Sequence, residues 1–297
     1  EACGVVRAGE FLRQYNIRGS APVGSQVVVV GGGNAAVDAA RTALRLGAEE
    51  VTIVYRRTRE QMPAYEEEIE EAILEGVSLR PLVQPVRVET DAQDAVAAVV
   101  CETMRLGDFD RSGRRRPTSA GEEAFRLEAD QVIVAIGQKI DSRSLDELSE
   151  LERSPNGFIA ANPQTGQTSV PWVFAGGDAS SGPASVVDAI AAGERAAVGI
   201  NLFLTGRADA FWRHEQEVDT SYDPDAEPLP YPREAYRTIP VERRRHNFDE
   251  VEQPWCEAVA LRQAHRCLRC DYGKHAAPPV EPTAVVRPQP EEESLHA

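Results

Sequence analysis

The chain has 297 residues, 42% hydrophobic and 27% charged, with a formal net charge of −16. This is a globular composition, long enough for one large or two ordinary domains, and its acidity argues against a nucleic-acid or anionic-membrane partner. No apolar run approaches the roughly twenty residues of a membrane span and no signal peptide is visible, while five cysteines (Cys3, Cys101, Cys256, Cys267, Cys270) are too sparse for a disulfide framework, so a reduced cytoplasmic setting is expected.

In chain order, a short helix is expected over Ala8 to Tyr15, followed by a connector rich in Gly, Ser and Pro up to residue 24. The most informative stretch comes next. Val27 to Val30 reads as a buried strand running into Gly31-Gly32-Gly33-Asn34-Ala35-Ala36 and an amphipathic helix. Gly47 is placed to close that helix, and a second strand, Val51 to Tyr55, ends in Arg56-Arg57-Thr58-Arg59. This is the order of a dinucleotide-binding βαβ unit. Gly31 makes the sharp turn, Gly33 lets the backbone approach the pyrophosphate, and Ala36 permits close helix–strand packing. The helix N-terminus then offers amides and a positive dipole end to the phosphates. The alternative reading is a βαβ unit in a flavodoxin-like or hydrolase-like sheet that holds no nucleotide.

The arginines indicate which dinucleotide is bound. An NAD site usually ends its second strand in an acid that holds the ribose 2′-hydroxyl, whereas an NADP site supplies Arg for the 2′-phosphate. Here no acid appears before Glu60, so Arg56, Arg57 and Arg59 point to NADPH.

Beyond Met62-Pro63-Ala64 an acidic helix is expected from Tyr65 to Leu74, closed by Gly76, then an extended run from Val77 to Glu89. Strands over Ala95–Met104 and Ala124–Leu127 read as an antiparallel meander. The basic tip between them, residues 107–117, reads as a solvated turn without chemistry. Ala129 to Gln138 reads as a further buried parallel strand, ending in the small residues Ala135 and Gly137, where backbone must pass close to something. A strand over Pro171–Ala175 leading into Gly176-Gly177-Asp178, with a long helix opening after Gly182-Pro183-Ala184-Ser185, forms a second glycine site. Pro183 suits a first helical position, and Ala189, Ala192, Gly193, Ala196 and Ala197 give that helix a small-residue face.

Together, Gly31 to Arg41, Val54-Tyr55-Arg56-Arg57 with Met62-Pro63-Ala64, Val134 to Gln138, and Phe174 to Asp178 with Gly182 and Val186 to Ile190 resemble the small (beta) subunit of bacterial glutamate synthase and its NADPH/FAD-dependent oxidoreductase relatives. The resemblance covers roughly residues 1–205. It implies an α/β fold in which a Rossmann-like three-layer NADPH-binding domain, residues 25–138, is inserted into a partial FAD-binding domain. Residues 1–24 would be a linker and part of that FAD domain, and 139–205 its C-terminal part. Within it, Gly177, Asp178, Ser185 and Val186 are implied to hold FAD, with the helix start at Ser185 aimed at the flavin. The family's first FAD half would precede Glu1, so the chain is expected to be a fragment, inactive alone, of an enzyme.

Residues 206–273 read as an extension whose helix, Asp249 to Arg269, carries Cys256, Cys267 and Cys270; residues 274–297 read as a disordered tail. The segment resembles one that leads into iron–sulfur ligation. Cys267 and Cys270 are therefore candidate metal ligands, for a [4Fe–4S] cluster completed by residues outside this chain. A zinc site, a redox Cys-x-x-Cys and ordinary reduced thiols remain open at this point. The expected function is hydride transfer from NADPH to FAD, with electrons passed to iron–sulfur centres or an electron-accepting subunit. The alternative is a non-catalytic NADP-binding or subunit-docking module.

Overall fold

The structure, a computed structural model, describes residues 2–109, 113–138, 140, 148, 150–208 and 232–265. The chain divides into two compact units, residues 1–136 with 231–264 and residues 137–230 with 265–297. Cys267, Cys270 and the expected tail lie outside the described residues.

The first unit runs β1 (Val5–Arg7), α1 (Ala8–Arg18), β2 (Gln26–Val30), α2 (Asn34–Arg45), β3 (Glu50–Tyr55), α3 (Glu66–Glu75), β4 (Ser78–Pro81), β5 (Val83–Thr90), β6 (Val96–Phe109), β7 (Arg115–Ser119), β8 (Phe125–Glu128) and β9 (Gln131–Val134). Five strands form a parallel sheet in the order β1-β9-β2-β3-β4. Alternation along β2 builds the layers. Val27 and Val29 pack with Phe11, Ala36, Ala40 and Ile69 of the three helices, while Val28 packs with Val83, Val99 and Cys101 of the antiparallel strands. Both faces of the sheet are therefore buried, which is why its strands read as unbroken apolar runs.

Two expectations in this unit are corrected. Residues 1–24 are not separate from the nucleotide domain: Val5, Val6 and Arg7 pair with Val132, Ile133 and Val134, and Phe11 is 1% exposed in the helical layer. The run from Val77 to Glu89 is two strands in two sheets. Leu82 breaks it with φ +55°, donating its amide to the Arg57 carbonyl at 2.9 Å and accepting from the Met104 amide at 2.7 Å.

Residues 232–264 belong to the first unit and carry β10 (Arg237–Thr238) paired to β11 (Glu252–Gln253), α6 (Val241–Arg244) and all but the last residue of α7 (Glu257–His265). The helix expected from Asp249 begins only at Glu257, because Pro254 lacks an amide donor and drives Gln253 into extended backbone.

In the second unit, α4 (Asp178–Ser181) precedes α5 (Val186–Thr205). The strand expected over Pro171–Ala175 is reduced to one antiparallel bridge, Gln167 with Phe174. Its hydrogen bonds run back into its own hairpin, from the Ala175 amide to the Gly166 carbonyl and from the Thr168 amide to the Val173 carbonyl. Pro183 lies two residues before the α5 N-cap, Ser185, rather than at the first helical position. The small face of α5 does meet backbone closely. A Cβ at Gly199 would sit 2.1 Å from the Thr165 carbonyl oxygen, and one at Gly176 would sit 3.1 Å from the Ala192 Cβ. No helix among the described residues is long and apolar enough to cross a membrane.

Cys3 and Cys256 are exposed, whereas Cys101 is fully buried and its burial pushes the thiol up to about 11. Alkylation of the folded chain near about pH 8 is therefore expected to label Cys3 and Cys256 and to spare Cys101 until denaturant is added, as read by peptide mass mapping. Rapid labelling of Cys101 without denaturant would contradict its place in the core.

Candidate nucleotide site

The carboxyl ends of β2, β3 and β9 meet at one edge of the parallel sheet, the usual place for a ligand in an open α/β sheet. The three glycines after β2 have three different surroundings. Gly31 adopts φ +149° and donates its amide to the Val54 carbonyl at 3.1 Å. A Cβ on it would sit 2.4 Å from the Ala135 carbonyl oxygen, so the backbone that Ala135 passes closely is that of Gly31. Gly32 turns toward the Tyr55 ring, where a Cβ would come within 2.5 Å, and its carbonyl accepts the Ala64 amide at 3.2 Å. Gly32 is thus a packing residue. Gly33 is the N-cap of α2, and a Cβ there would meet only Pro63 Cγ, at 3.8 Å. The space beside it is open, as the close approach of a pyrophosphate requires.

The first turn of α2 contains no acid and its last turn holds Arg45, so the positive end of the helix dipole is unopposed at Asn34 and Ala35. The Asn34 side chain accepts the Tyr65 amide at 3.0 Å, which fixes the Met62-Pro63-Ala64 turn alongside the glycines.

The arginines expected to read the 2′-phosphate separate sharply. Arg56 is exposed and makes no hydrogen bond or ion pair among the described residues. Arg57 is 7% exposed, and its Nε donates to the Arg115 carbonyl at 3.0 Å. Arg59 pairs with Glu66 and, at 3.5 Å, with Glu70 on α3. These pairs are half-exposed and contribute at most about 1 kcal/mol, so a phosphate could displace them; the buried Arg57 is not so easily redirected. Of the basic tip expected to be solvated, Gly113, Arg115 and Arg116 are exposed, but Arg114 is tied back to the body. Arg114 donates through Nη2 to the Gln61 carbonyl at 2.8 Å and to the Tyr55 hydroxyl at 3.3 Å. No feature of the sequence marked Arg114 except its place in an arginine run within an acidic chain.

Gly137 begins the second unit, with φ +119° and no atom near an added Cβ. In this unit an open cavity of about 520 Å³ is lined by Gly176, Gly177, Asp178, Ser185, Val186 and Ala189 among others. Gly177 has φ +61° and ψ −150°, a conformation open essentially to glycine alone. Asp178 closes the turn below it, accepting the Ala184 amide on Oδ1 at 3.4 Å. Ser185 and Asp188 form a reciprocal cap: the Ser185 hydroxyl donates to Asp188 Oδ2 at 2.7 Å and accepts the Asp188 amide at 3.1 Å. The Ser185 hydroxyl, and then the Ser185 backbone amide at 3.3 Å, donate to the Asp188 carboxyl and hold it below its usual range. Val186, Val187 and Ile190 are 76%, 73% and 59% exposed, an unusually apolar rim for open solvent. The glycine conformation, the open carboxylate and this rim fit a large ligand with both polar and apolar parts, as FAD is. Among the described residues no cluster of three His, Cys, Asp or Glu side chains could hold a metal ion.

The parallel sheet, the glycine turn and the helix N-terminus define a dinucleotide-binding α/β protein. The model of the family described as pyridine nucleotide-disulphide oxidoreductase matches residues 4–193, and the chain belongs to that family. It is 40% identical over 277 residues to the NADP(+)-dependent formate dehydrogenase subunit beta of Moorella thermoacetica, covering 90% of this chain and 39% of that protein. It is 34% identical over 299 residues to the NADPH-Fe(3+) oxidoreductase subunit beta of Geobacter sulfurreducens, covering 90% and 44%. It is also 38% identical over 184 residues to the glutamate synthase [NADPH] small chain of Escherichia coli, covering 61% and 39%. The chain thus spans about four-tenths of the length of these relatives. Among solved structures, the thioredoxin reductase of T. acidophilum superposes with a TM-score of 0.50 at 22% identity, over 66% of this chain and 56% of that one, a likeness of fold.

Proposed function

We propose that this chain carries the NADPH-binding domain, and the returning part of the FAD domain, of a flavoprotein oxidoreductase that passes electrons to an iron–sulfur centre or a partner subunit. The observation that carries this reading is the open backbone of Gly33 at the α2 N-terminus, on the same sheet edge as the exposed Arg56. A pyrophosphate against Gly33, Asn34 and Ala35 leaves the adenosine ribose directed toward the end of β3, where Arg56 offers a planar fork of donors to the 2′-phosphate. Gly177, Asp178, Ser185 and Val186 are the residues that would hold FAD. That cofactor, when bound, supplies the hydride acceptor and the release of electrons one at a time, so no acid or base from this chain is needed for the first step. The relatives named as beta subunits and as a small chain support a partner subunit as the destination of the electrons. Cys267 and Cys270 remain the proposed ligands of a shared cluster.

Titration calorimetry on the full chain tests the reading. NADPH is expected to bind at least about tenfold more tightly than NADH, a difference of about 1.4 kcal/mol, and Arg56→Glu is expected to abolish the preference. Equal affinity for both nucleotides would rule out the 2′-phosphate site.

A further inference from the structure

Two segments more than fifty residues apart in sequence meet at the arginine end of the nucleotide site. Hydrogen bonds among the described residues join them, including Arg57 Nε to the Arg115 carbonyl, Arg114 Nη2 to the Gln61 carbonyl, and Arg114 Nη2 to the Tyr55 hydroxyl. The Tyr55 hydroxyl itself donates to the Gln61 carbonyl at 2.9 Å, so the loop from residue 55 to 61 closes on one oxygen that two donors share. Arg56 stands within this closed loop and makes no bond of its own among the described residues. Its position therefore depends on whatever holds Tyr55 and Gln61 together.

We propose that Arg114 is a positioning residue for selection of the 2′-phosphate: reaching from the β6–β7 hairpin, it pins the 55–61 loop so that Arg56 is presented to the phosphate. The inference rests on the NADPH reading above. A long side chain on an unpinned loop samples many positions, and placement errors of about 1 Å weaken directed contacts severely. The guanidinium suits the task because its Nη2 carries two N–H donors, one for the Gln61 carbonyl and one for the Tyr55 hydroxyl. The Cδ2–Cε2 edge of the same Tyr55 ring lies against Gly32, so the pin also connects the phosphate-reading loop to the glycine turn.

The test measures NADP⁺ and NAD⁺ affinities of the full chain, of Arg114→Gln, Arg114→Lys and Arg56→Gln, and of the Arg56→Gln/Arg114→Gln double variant. Arg114→Gln is expected to weaken NADP⁺ about tenfold while leaving NAD⁺ within about twofold, and Arg114→Lys to recover part of the loss. In the Arg56→Gln background, Arg114→Gln is expected to cost nothing more, since Arg114 acts through Arg56. An additive double variant would mean that Arg114 contacts the phosphate itself and would overturn the positioning role. So would an Arg114→Gln variant that keeps the preference, or one that loses both nucleotides equally. If the unaltered chain shows no preference for NADP⁺, the NADPH reading itself has failed, and a wild-type preference that survives Arg114→Gln fails this inference alone.

Discussion

Gly33→Ala is expected to leave the fold intact and to weaken nucleotide binding at least about tenfold, whereas Gly31→Ala is expected to damage the fold itself. The two glycines differ in what faces them. An added methyl at Gly33 meets only Pro63 Cγ at 3.8 Å, and the backbone there has φ −93°, which any residue adopts. The change costs at most about 1 kcal/mol at an N-cap position. The methyl does occupy the space where a pyrophosphate must reach backbone amides, so the loss falls on affinity. At Gly31 a Cβ would lie 2.4 Å from the Ala135 carbonyl oxygen, on a backbone with φ +149°. Neither the clash nor the strain can be relieved by rotating a side chain, and together they cost on the order of 3 kcal/mol. Thermal melts beside nucleotide titrations separate the outcomes. A Gly33→Ala variant that binds normally would remove the pyrophosphate from this turn.

The βαβ unit was legible because each of its signals is local. The valine run, the glycine spacing, the amphipathic period of α2 and the left-handed Gly47 just past its end all lie within about thirty residues. What escaped reading depends on contacts between distant segments. β1 is three residues long and pairs with β9, more than a hundred residues away, so no periodicity could place it in the sheet. Leu82 takes a backbone conformation that leucine rarely adopts, and only its bonds to Arg57 and Met104 explain why the chain changes sheets there. Arg56 and Arg57 looked equivalent as a pair. Successive residues at a strand end point to opposite sides, which leaves one in solvent and buries the other beneath Arg115. The second glycine site was legible in its turn and helix, including the close approach of small residues on α5. Its strand was not, because the backbone bonds of residues 166–175 close on themselves.

Glu75→Gln is expected to be the most destabilising single change in the first unit, lowering its stability by about 3–5 kcal/mol and its Tm by roughly 10 °C. Glu75 is fully buried, with Arg41 bound across both oxygens at 2.6 and 3.0 Å and Arg45 at 2.9 Å. Arg244, 2% exposed, pairs with Glu71 and reaches Glu75 at 3.6 Å. Three guanidinium groups from α2 and α6 thus share two carboxylates on α3. Neutralising the buried one removes the carboxylate that all three cations approach, leaving Glu71 in ion-pair contact with Arg41 and Arg244, and it loosens residues 232–264, which Arg244 and the Tyr15–Phe248 stack at 4.2 Å hold to the domain. Burial by itself would raise the Glu75 carboxyl; the hydrogen bonds and charges of Arg41 and Arg45 outweigh it and hold the group below its usual value of 4.5. A lowered carboxylate contributes stability that is complete above the unfolded value and is lost as pH falls through the folded one. The gap between the unaltered chain and Glu75→Gln should therefore be widest near about pH 7 and narrow below about pH 4.5 in urea titrations. Asp38 and Glu68 work in the opposite sense. Burial raises both, and for Glu68 the neighbouring Asp38 charge adds to it, so their protonation offsets part of the acid loss. A gap that stays constant with pH would show that Glu75 stabilises the helix seam by packing rather than by its charge.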